Sequence, residues 1–161
     1  MGIKDGKRCV RCGVISDTHG IFRSTVTGIF HDVEHIFHAG DIGRPSVLRE
    51  LEAIAPVTAV LGNVDIPAWY PGMEKTACIE IAGKQIMILH NPDELDLDPA
   101  AAEIAVVIHG HTHKPYARRK KGVWYINPGS AGPHRFLRQV SVAVLTLGET
   151  VSVEHFPVLG D

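Results

Sequence analysis

The chain is short of cysteine, with three in 161 residues, and short of aromatic residues, at 6%. Three thiols cannot build the disulfide framework of a small secreted scaffold. No apolar run approaches the roughly 18 residues of a membrane span, and the opening MGIKDGKRCV has no signal-peptide core. Neither sign of charge dominates: sixteen Lys and Arg face eighteen Asp and Glu, for a net charge of −2. That balance excludes a general attraction to nucleic acid or to an anionic membrane. Linkers, internal repeats and low-complexity tracts are missing too. The remainder, 45% hydrophobic and 21% charged, is globular in composition, and the length suits one ordinary domain. The expectation is a single cytoplasmic domain spanning residues 1–161.

Histidine is plentiful, at ten residues, and its placement follows the secondary-structure pattern. In the first half, strand-like runs at Val10–Ser16, Val33–His38 and Val57–Leu61 alternate with helical stretches at Thr25–Asp32 and Ser46–Ala55, the latter opened by Pro45. Such alternation predicts βαβ units and a parallel sheet. The second half reads as hairpins. Thr76–Ala82 and Gln85–His90 flank Gly83-Lys84, Tyr116–Arg119 and Val123–Ile126 flank a basic turn, and Val140–Leu147 and Thr150–Phe156 flank Gly148-Glu149. Between them lie the apolar run Ile104–His109 and an acidic, Pro-interrupted connection over Asp93–Glu103. The expected class is α/β: two packed sheets of mixed strands with helices outside.

Five apolar runs end in side chains able to bind metal: Cys12–Ser16 in Asp17 and His19, Ile36–Ala39 in Asp41, Val57–Leu61 in Asn63, Ile86–Leu89 in His90, and Val106–Ile108 in His111 and His113. Loops beyond the carboxyl ends of strands in an α/β sheet meet in one crevice. On an extended chain, residues i and i+2 project to one side, so Asp17/His19 and His111/His113 are each expected to aim at a single ion. Seven donors exceed what one ion takes from protein when a position stays open for water. They suit two ions sharing Asp41. Oxygen and nitrogen donors without thiolate favour Mn, Fe, Zn, Co or Ni over Ca. Two such ions, about 3.5–4 Å apart, clamp the oxygens of an in-line displacement at phosphorus.

These same residues resemble the calcineurin-like metallophosphoesterase family. Asp17-Thr18-His19 matches its D-x-H, Gly40-Asp41 its G-D, Gly62-Asn63 its G-N, and Gly110–His113 its G-H-x-H, with a lone His90 after a strand. The strings ISDTHG, HAGDIG, LGNVD, GHTHKP and INPGS are most similar to small prokaryotic phosphodiesterases of the YfcE type, over about Val10 to Gly132. The resemblance implies a four-layer α/β/β/α sandwich. It implies one metal on Asp17, His19, Asp41 and His113, and a second on Asp41, Asn63, His90 and His111, Mn first among the candidates. A bridging hydroxide would attack phosphorus, with His19, Asp41 and Asn63 as the candidate catalytic residues. The implied partner is a small phosphoester substrate, and small members of the group often form homo-oligomers. Alternatives stay open: a metal-binding scaffold of the same fold, like the retromer subunit, or a phosphomonoesterase or nucleotidase.

Two departures carry expectations. Many relatives read G-N-H-D, where the His protonates the leaving group; Val64 stands there and cannot. After His90 the family commonly has Gly, whereas this chain has Asn91-Pro92, so the loop is expected to run differently and the second site to be weaker. Among other residues, His38 and Asp65 are read as outer partners or as packing and turn residues. His109 is read as core or crevice lining, His31 and His35 as solvated, and Arg23 as a phosphate contact or a surface residue. Cys9-Val10-Arg11-Cys12 lacks a second pair and is read as strand packing. Arg118–Lys121 is read as a charged hairpin tip rather than a nucleic-acid patch.

Overall fold

The computed structural model describes residues 3–4, 7–134 and 138–160. Along them run β1 (Ile3–Lys4), β2 (Lys7–Arg8), β3 (Val10–Ile15), α1 (Thr25–Ile29), β4 (His35–His38), α2 (Pro45–Glu52), β5 (Val57–Ala59), β6 (Thr76–Ile81) and β7 (Lys84–Leu89). There follow β8 (Ile104–Ile108), β9 (Tyr116–Lys120), β10 (Val123–Asn127), β11 (Ser141–Leu147) and β12 (Val151–Pro157). Apart from the short β1–β2 ladder, the strands form two five-stranded sheets, ordered β12-β11-β3-β4-β5 and β6-β7-β8-β10-β9. In the first, β3, β4 and β5 are parallel and β11 and β12 antiparallel. In the second, β7, β8 and β10 are parallel, with β6 and β9 antiparallel at the edges. Both sheets are therefore mixed, as the sequence predicts.

Three apolar cores separate four layers. Phe30, Val47 and Leu51 of the helical layer pack with Ile15, Ile36 and Val142 of the first sheet. Cys12, Val14, Phe37 and Leu145 meet Ile86, Ile88, Val106 and Ile126 between the two sheets. Met87, Leu89, Val107 and Val123 face outward from the second sheet, with Leu95 packed on them. That outer layer is the 91–103 connection, whose regular structure is a single 3₁₀ turn at Pro92–Glu94. Pro92 and Pro99 keep this segment from winding into an α-helix. No helix among the described residues is long and apolar enough to cross a membrane.

Boundaries differ from the sequence reading where turn chemistry decides them. Helix α1 stops at Ile29 and α2 at Glu52, each about one turn early. The β6–β7 turn is Ala82-Gly83, with φ of 54° and 75°, so Lys84 opens β7 opposite Ile81. A two-residue hairpin loop needs positive φ at both central positions, which shifts the turn by one residue. Cys9 and Cys12 are free thiols, and Cys12 lies in the inter-sheet core. Burial, with the charge of Glu34, pushes the Cys12 thiol up to about 12, so it is an inert packing residue.

Candidate metal centre

The carboxyl ends of β3, β4, β5, β7 and β8 lead into the loops that hold Asp17, Asp41, Asn63, His90 and His111. Backbone hydrogen bonds stitch these loops together: Asp17 N–H to Gly40 O, His19 N–H to Asp41 O, and Gly110 N–H to His90 O, each at 3.0 Å. A second feature marks five of the seven candidate ligands. Of the eight non-glycine residues with positive φ among those described, five are Asp17, His19, Asp41, His111 and His113, with φ between 46° and 71°. The other three are Ala82, Glu103 and Lys121. Left-handed backbone at non-glycine residues costs about 1–3 kcal/mol each and gathers where function requires a particular side-chain direction.

The donor atoms converge. His113 Nε2 is 3.1 Å from Asp17 Oδ1, His90 Nε2 is 3.3 Å from Asp41 Oδ2 and 3.8 Å from Asp17 Oδ1, and His19 Nε2 is 3.8 Å from Asp41 Oδ2. They form two overlapping groups, Asp17/His19/His113 and Asp17/Asp41/His90, with ligand atoms within 4.8 Å of one another. Asp17 Oδ1, His19 Nε2 and His90 Nε2 are buried and make no hydrogen bond. Each such atom costs about 1–3 kcal/mol when left unmatched. Asp17 is common to both groups, with His19 in one and His90 in the other, so the unmatched atoms fit bound cations, and the N/O donor set suits a divalent transition metal.

Close packing explains the glycines of the motifs. A Cβ on Gly62 would lie 2.2 Å from both the backbone N and Oδ1 of Asp41. One on Gly110 would lie 2.1 Å from Ser16 Oγ and 2.5 Å from Asp17 Oδ2. Outer partners then fix the donors. His90 Nδ1 is 2.8 Å from Ala39 O and donates to it, leaving Nε2 with its lone pair toward the centre. The Asp17 carboxylate accepts from Ser16 Oγ at 2.7 Å and from the His111 N–H at 3.2 Å. Asp41 Oδ1 accepts the Val64 N–H at 3.0 Å. Asp65 bridges two loops, accepting from Gly43 N–H at 3.0 Å and Gly62 N–H at 2.8 Å.

The electrostatics follow from these contacts. Burial raises the Asp17 carboxyl, but His113, Ser16 and the charge of His90 outweigh it and hold the group below the usual carboxylate value. Burial likewise works against Asp41, yet His90, the Val64 N–H and His19 bring it down to about 2. Burial lowers His90, whereas Asp41 and Asp17 raise it above an ordinary imidazole. His38 is fully buried and burial takes it down to about 4, so it is neutral. It accepts the Gly40 N–H at Nδ1 and lies 2.9 Å from Thr18 Oγ1 through Nε2, and Thr18 Oγ1 donates to Ile42 O. His38 thus ties the Asp17–His19 loop to the Gly40–Ile42 loop from beneath.

Not every expectation held. Asp17/His19 and His111/His113 do not lie on extended chain, because positive φ kinks all four residues. The kink separates His111 from His113: His111 meets the His90 ring at 5.3 Å between centroids, while His113 meets His19 at 5.8 Å. His90 is buried at the centre despite Asn91-Pro92. Asn91 is extended, its side chain accepts the Asp93 N–H, and Pro92 opens the 3₁₀ turn beyond His90. Asn63 is exposed on the Gly62–Asp65 loop around Asp41, and His111 is exposed at the rim. His35 is half-buried and bonded to Thr58 Oγ1 at 2.7 Å rather than solvated. Arg23 donates to Gly132 O and Gly160 O.

Sequence reasoning missed Ser16 and Thr18 as loop anchors, although both flank Asp17. Nor did it assign a role to Asn127, whose amide donates to Gly110 O at 3.1 Å and Thr112 Oγ1 at 3.0 Å. Ser130, in the turn after Asn127, donates to Asp17 O at 3.1 Å.

Residues 10–150 match the calcineurin-like phosphoesterase superfamily domain, and the chain belongs to that superfamily. It is 38% identical over 157 residues to the "probable metallophosphoesterase" of Methanothermobacter thermautotrophicus, covering 88% of this chain and 89% of that one. It is 30% identical over 138 residues to a phosphodiesterase of Methanocaldococcus jannaschii, covering 74% and 83%. The phosphoesterase YfcE of E. coli superposes with a TM-score of 0.66 at 21% identity, over 84% of this chain and 88% of that chain. Vacuolar Protein Sorting 29 of Cryptosporidium parvum superposes with a TM-score of 0.75 at 16% identity, over 93% and 99%. At those identities the two structures speak to the fold alone.

Proposed function

We propose that the chain is a dinuclear-metal-dependent phosphoesterase whose substrates are small phosphodiesters. The observation that carries this reading is the convergence of three buried, unmatched donor atoms, on Asp17, His19 and His90, the first two held in left-handed backbone. Asp17, His19, Asp41 and His113 would hold one ion and Asp41, Asn63, His90 and His111 the other. Divalent ions there, Mn first among the candidates, supply Lewis acidity that activates water and neutralises charge on the phosphoryl oxygens. Relatedness to a phosphodiesterase at 30% identity supports the diester class.

The protein's own groups set the rest. The two depressed carboxylates stay ionised across the working pH range, so the centre keeps its affinity for cations. The Ala39 carbonyl fixes the His90 tautomer before any ion arrives. Exposed Asn63 and His111 leave the solvent side open for substrate. Val64 offers no proton to a departing alkoxide, which favours esters whose leaving groups depart unaided, such as aryl esters.

The test is metal analysis of wild type and His111→Ala together with hydrolysis of a panel of mono- and diesters in Mn²⁺. Wild type is expected to hold two ions and to prefer diesters, and His111→Ala to lose one ion and activity together. Two ions with no turnover of any ester would replace this reading with that of an interaction scaffold. Preference for monoesters would make the protein a phosphomonoesterase.

A further inference from the structure

We propose that a cationic groove beside the metal centre binds additional phosphate groups of the substrate, so that the preferred esters carry phosphates beyond the scissile one. The inference rests on the phosphoesterase reading for its relevance but not for its test.

The groove, ≈ 750 Å³ in volume, is lined by Lys114, Tyr116, Arg118, Arg119, Lys120 and Tyr125, and it begins at Thr112. Thr112 and Lys114 flank the candidate ligand His113, so the groove starts on the segment that carries a ligand of the centre. Asn127 anchors this junction by its hydrogen bond to Thr112 Oγ1. From there the groove runs along β9, the edge strand of the second sheet.

Its charges are uncommitted. Among the described residues, no carboxylate lies within ion-pair distance of Lys114, Arg118, Arg119, Lys120 or Lys121. The four that line the groove, Lys114, Arg118, Arg119 and Lys120, repel one another and form a ready site for a polyanion. One of them is already oriented: the Arg118 guanidinium lies over the Tyr116 ring, 5.6 Å from its centroid. Such stacking preorganises a planar fork for bidentate contact with phosphate oxygens. A chain with net charge −2 that gathers these cations along one strand, starting beside a candidate metal ligand, has the polarity of a substrate subsite.

Sodium tripolyphosphate tests the groove in the metal-free protein by isothermal titration calorimetry. Without metal, the carboxylates of Asp17 and Asp41 repel a polyanion, so binding reports the groove alone. Wild type is expected to bind tripolyphosphate more tightly than orthophosphate, with affinity falling steeply between low salt and about 0.15 M, where the Debye length is about 8 Å. Arg118→Glu with Lys120→Glu should weaken binding by at least about tenfold. Both side chains are exposed, and an unchanged thermal midpoint will show that the variant folds. In Mn²⁺ the double variant should retain wild-type turnover of bis(p-nitrophenyl) phosphate, while KM for a tripolyphosphate ester rises with kcat little changed. Binding of tripolyphosphate without any turnover would overturn the phosphoesterase reading and leave the groove standing. No binding by wild type, binding unaffected by the charge reversals, or binding of a single-stranded oligonucleotide but not of tripolyphosphate would overturn the groove proposal.

Discussion

Replacing Gly62 with alanine adds one methyl group at the most crowded point of the centre. The new Cβ would sit 2.2 Å from Asp41 N and from Asp41 Oδ1. To restore ordinary contact, the carboxylate must withdraw by about 1 Å. Metal ligation tolerates only about 0.2 Å of error. Since Asp41 is the proposed shared ligand, both ions should be affected. The strain itself should cost about 1–3 kcal/mol, a fall of roughly 3–10 °C in Tm for a domain of this size. The assay is metal content after gel filtration, with thermal unfolding of the metal-free protein alongside. Gly28→Ala is the control: it lies in α1, meets nothing within 4 Å, and should stabilise by about 0.5–1 kcal/mol. A Gly62→Ala protein with wild-type metal content and Tm would refute this account of the Gly62–Asp41 packing.

Three further outcomes are expected. Asp65→Asn leaves one of the Gly43 and Gly62 N–H groups facing an amide NH₂, and chemical denaturation should show a loss of about 1–3 kcal/mol. Burial depresses His38, so the unfolded chain takes up a proton there that the folded chain refuses. The stabilisation from this group is complete above about pH 6.5 and is lost as pH falls toward about 4, by about 2 kcal/mol between pH 7 and pH 5. Urea midpoints at the two pH values should show a loss larger by this amount in metal-free wild type than in His38→Gln, since burial also lowers His35 and His109 in both proteins. Finally, Val64→His should restore a proton donor and raise turnover of alkyl phosphodiesters relative to nitrophenyl ones by at least about tenfold, toward the usual range of acid catalysis. An unchanged ratio would mean that proton transfer is supplied elsewhere.

Much of this was legible in the sequence because apolar strands announce themselves. The runs ending at Asp17, Asp41, Asn63, His90 and His111 gave the parallel strands, and mixed sheets followed from the hairpins around Gly83, Gly122 and Gly148. The route by which the donors meet was not legible. Periodicity describes extended chain, whereas Asp17, His19, Asp41, His111 and His113 adopt positive φ, which no side-chain pattern signals at Asp or His. The buried support was hidden for a related reason. Thr18 and Asn127 act through hydrogen bonds to His38, Ile42, Gly110 and Thr112, which lie far along the chain, and only tertiary structure supplies those partners. His90 shows the reverse: the Asn91-Pro92 that follows it predicts a different loop, yet His90 is buried against Asp17 and Asp41, and Asn91 closes its own Asx turn onto Asp93.

Crystals of the protein grown or soaked with Mn²⁺ and measured near the manganese absorption edge test the central claim most directly. Two anomalous peaks about 3.5–4 Å apart, one against Asp17, His19 and His113 and the other against Asn63, His90 and His111, with Asp41 between them, are the predicted result. A single peak, or ions bound away from these side chains, would contradict it.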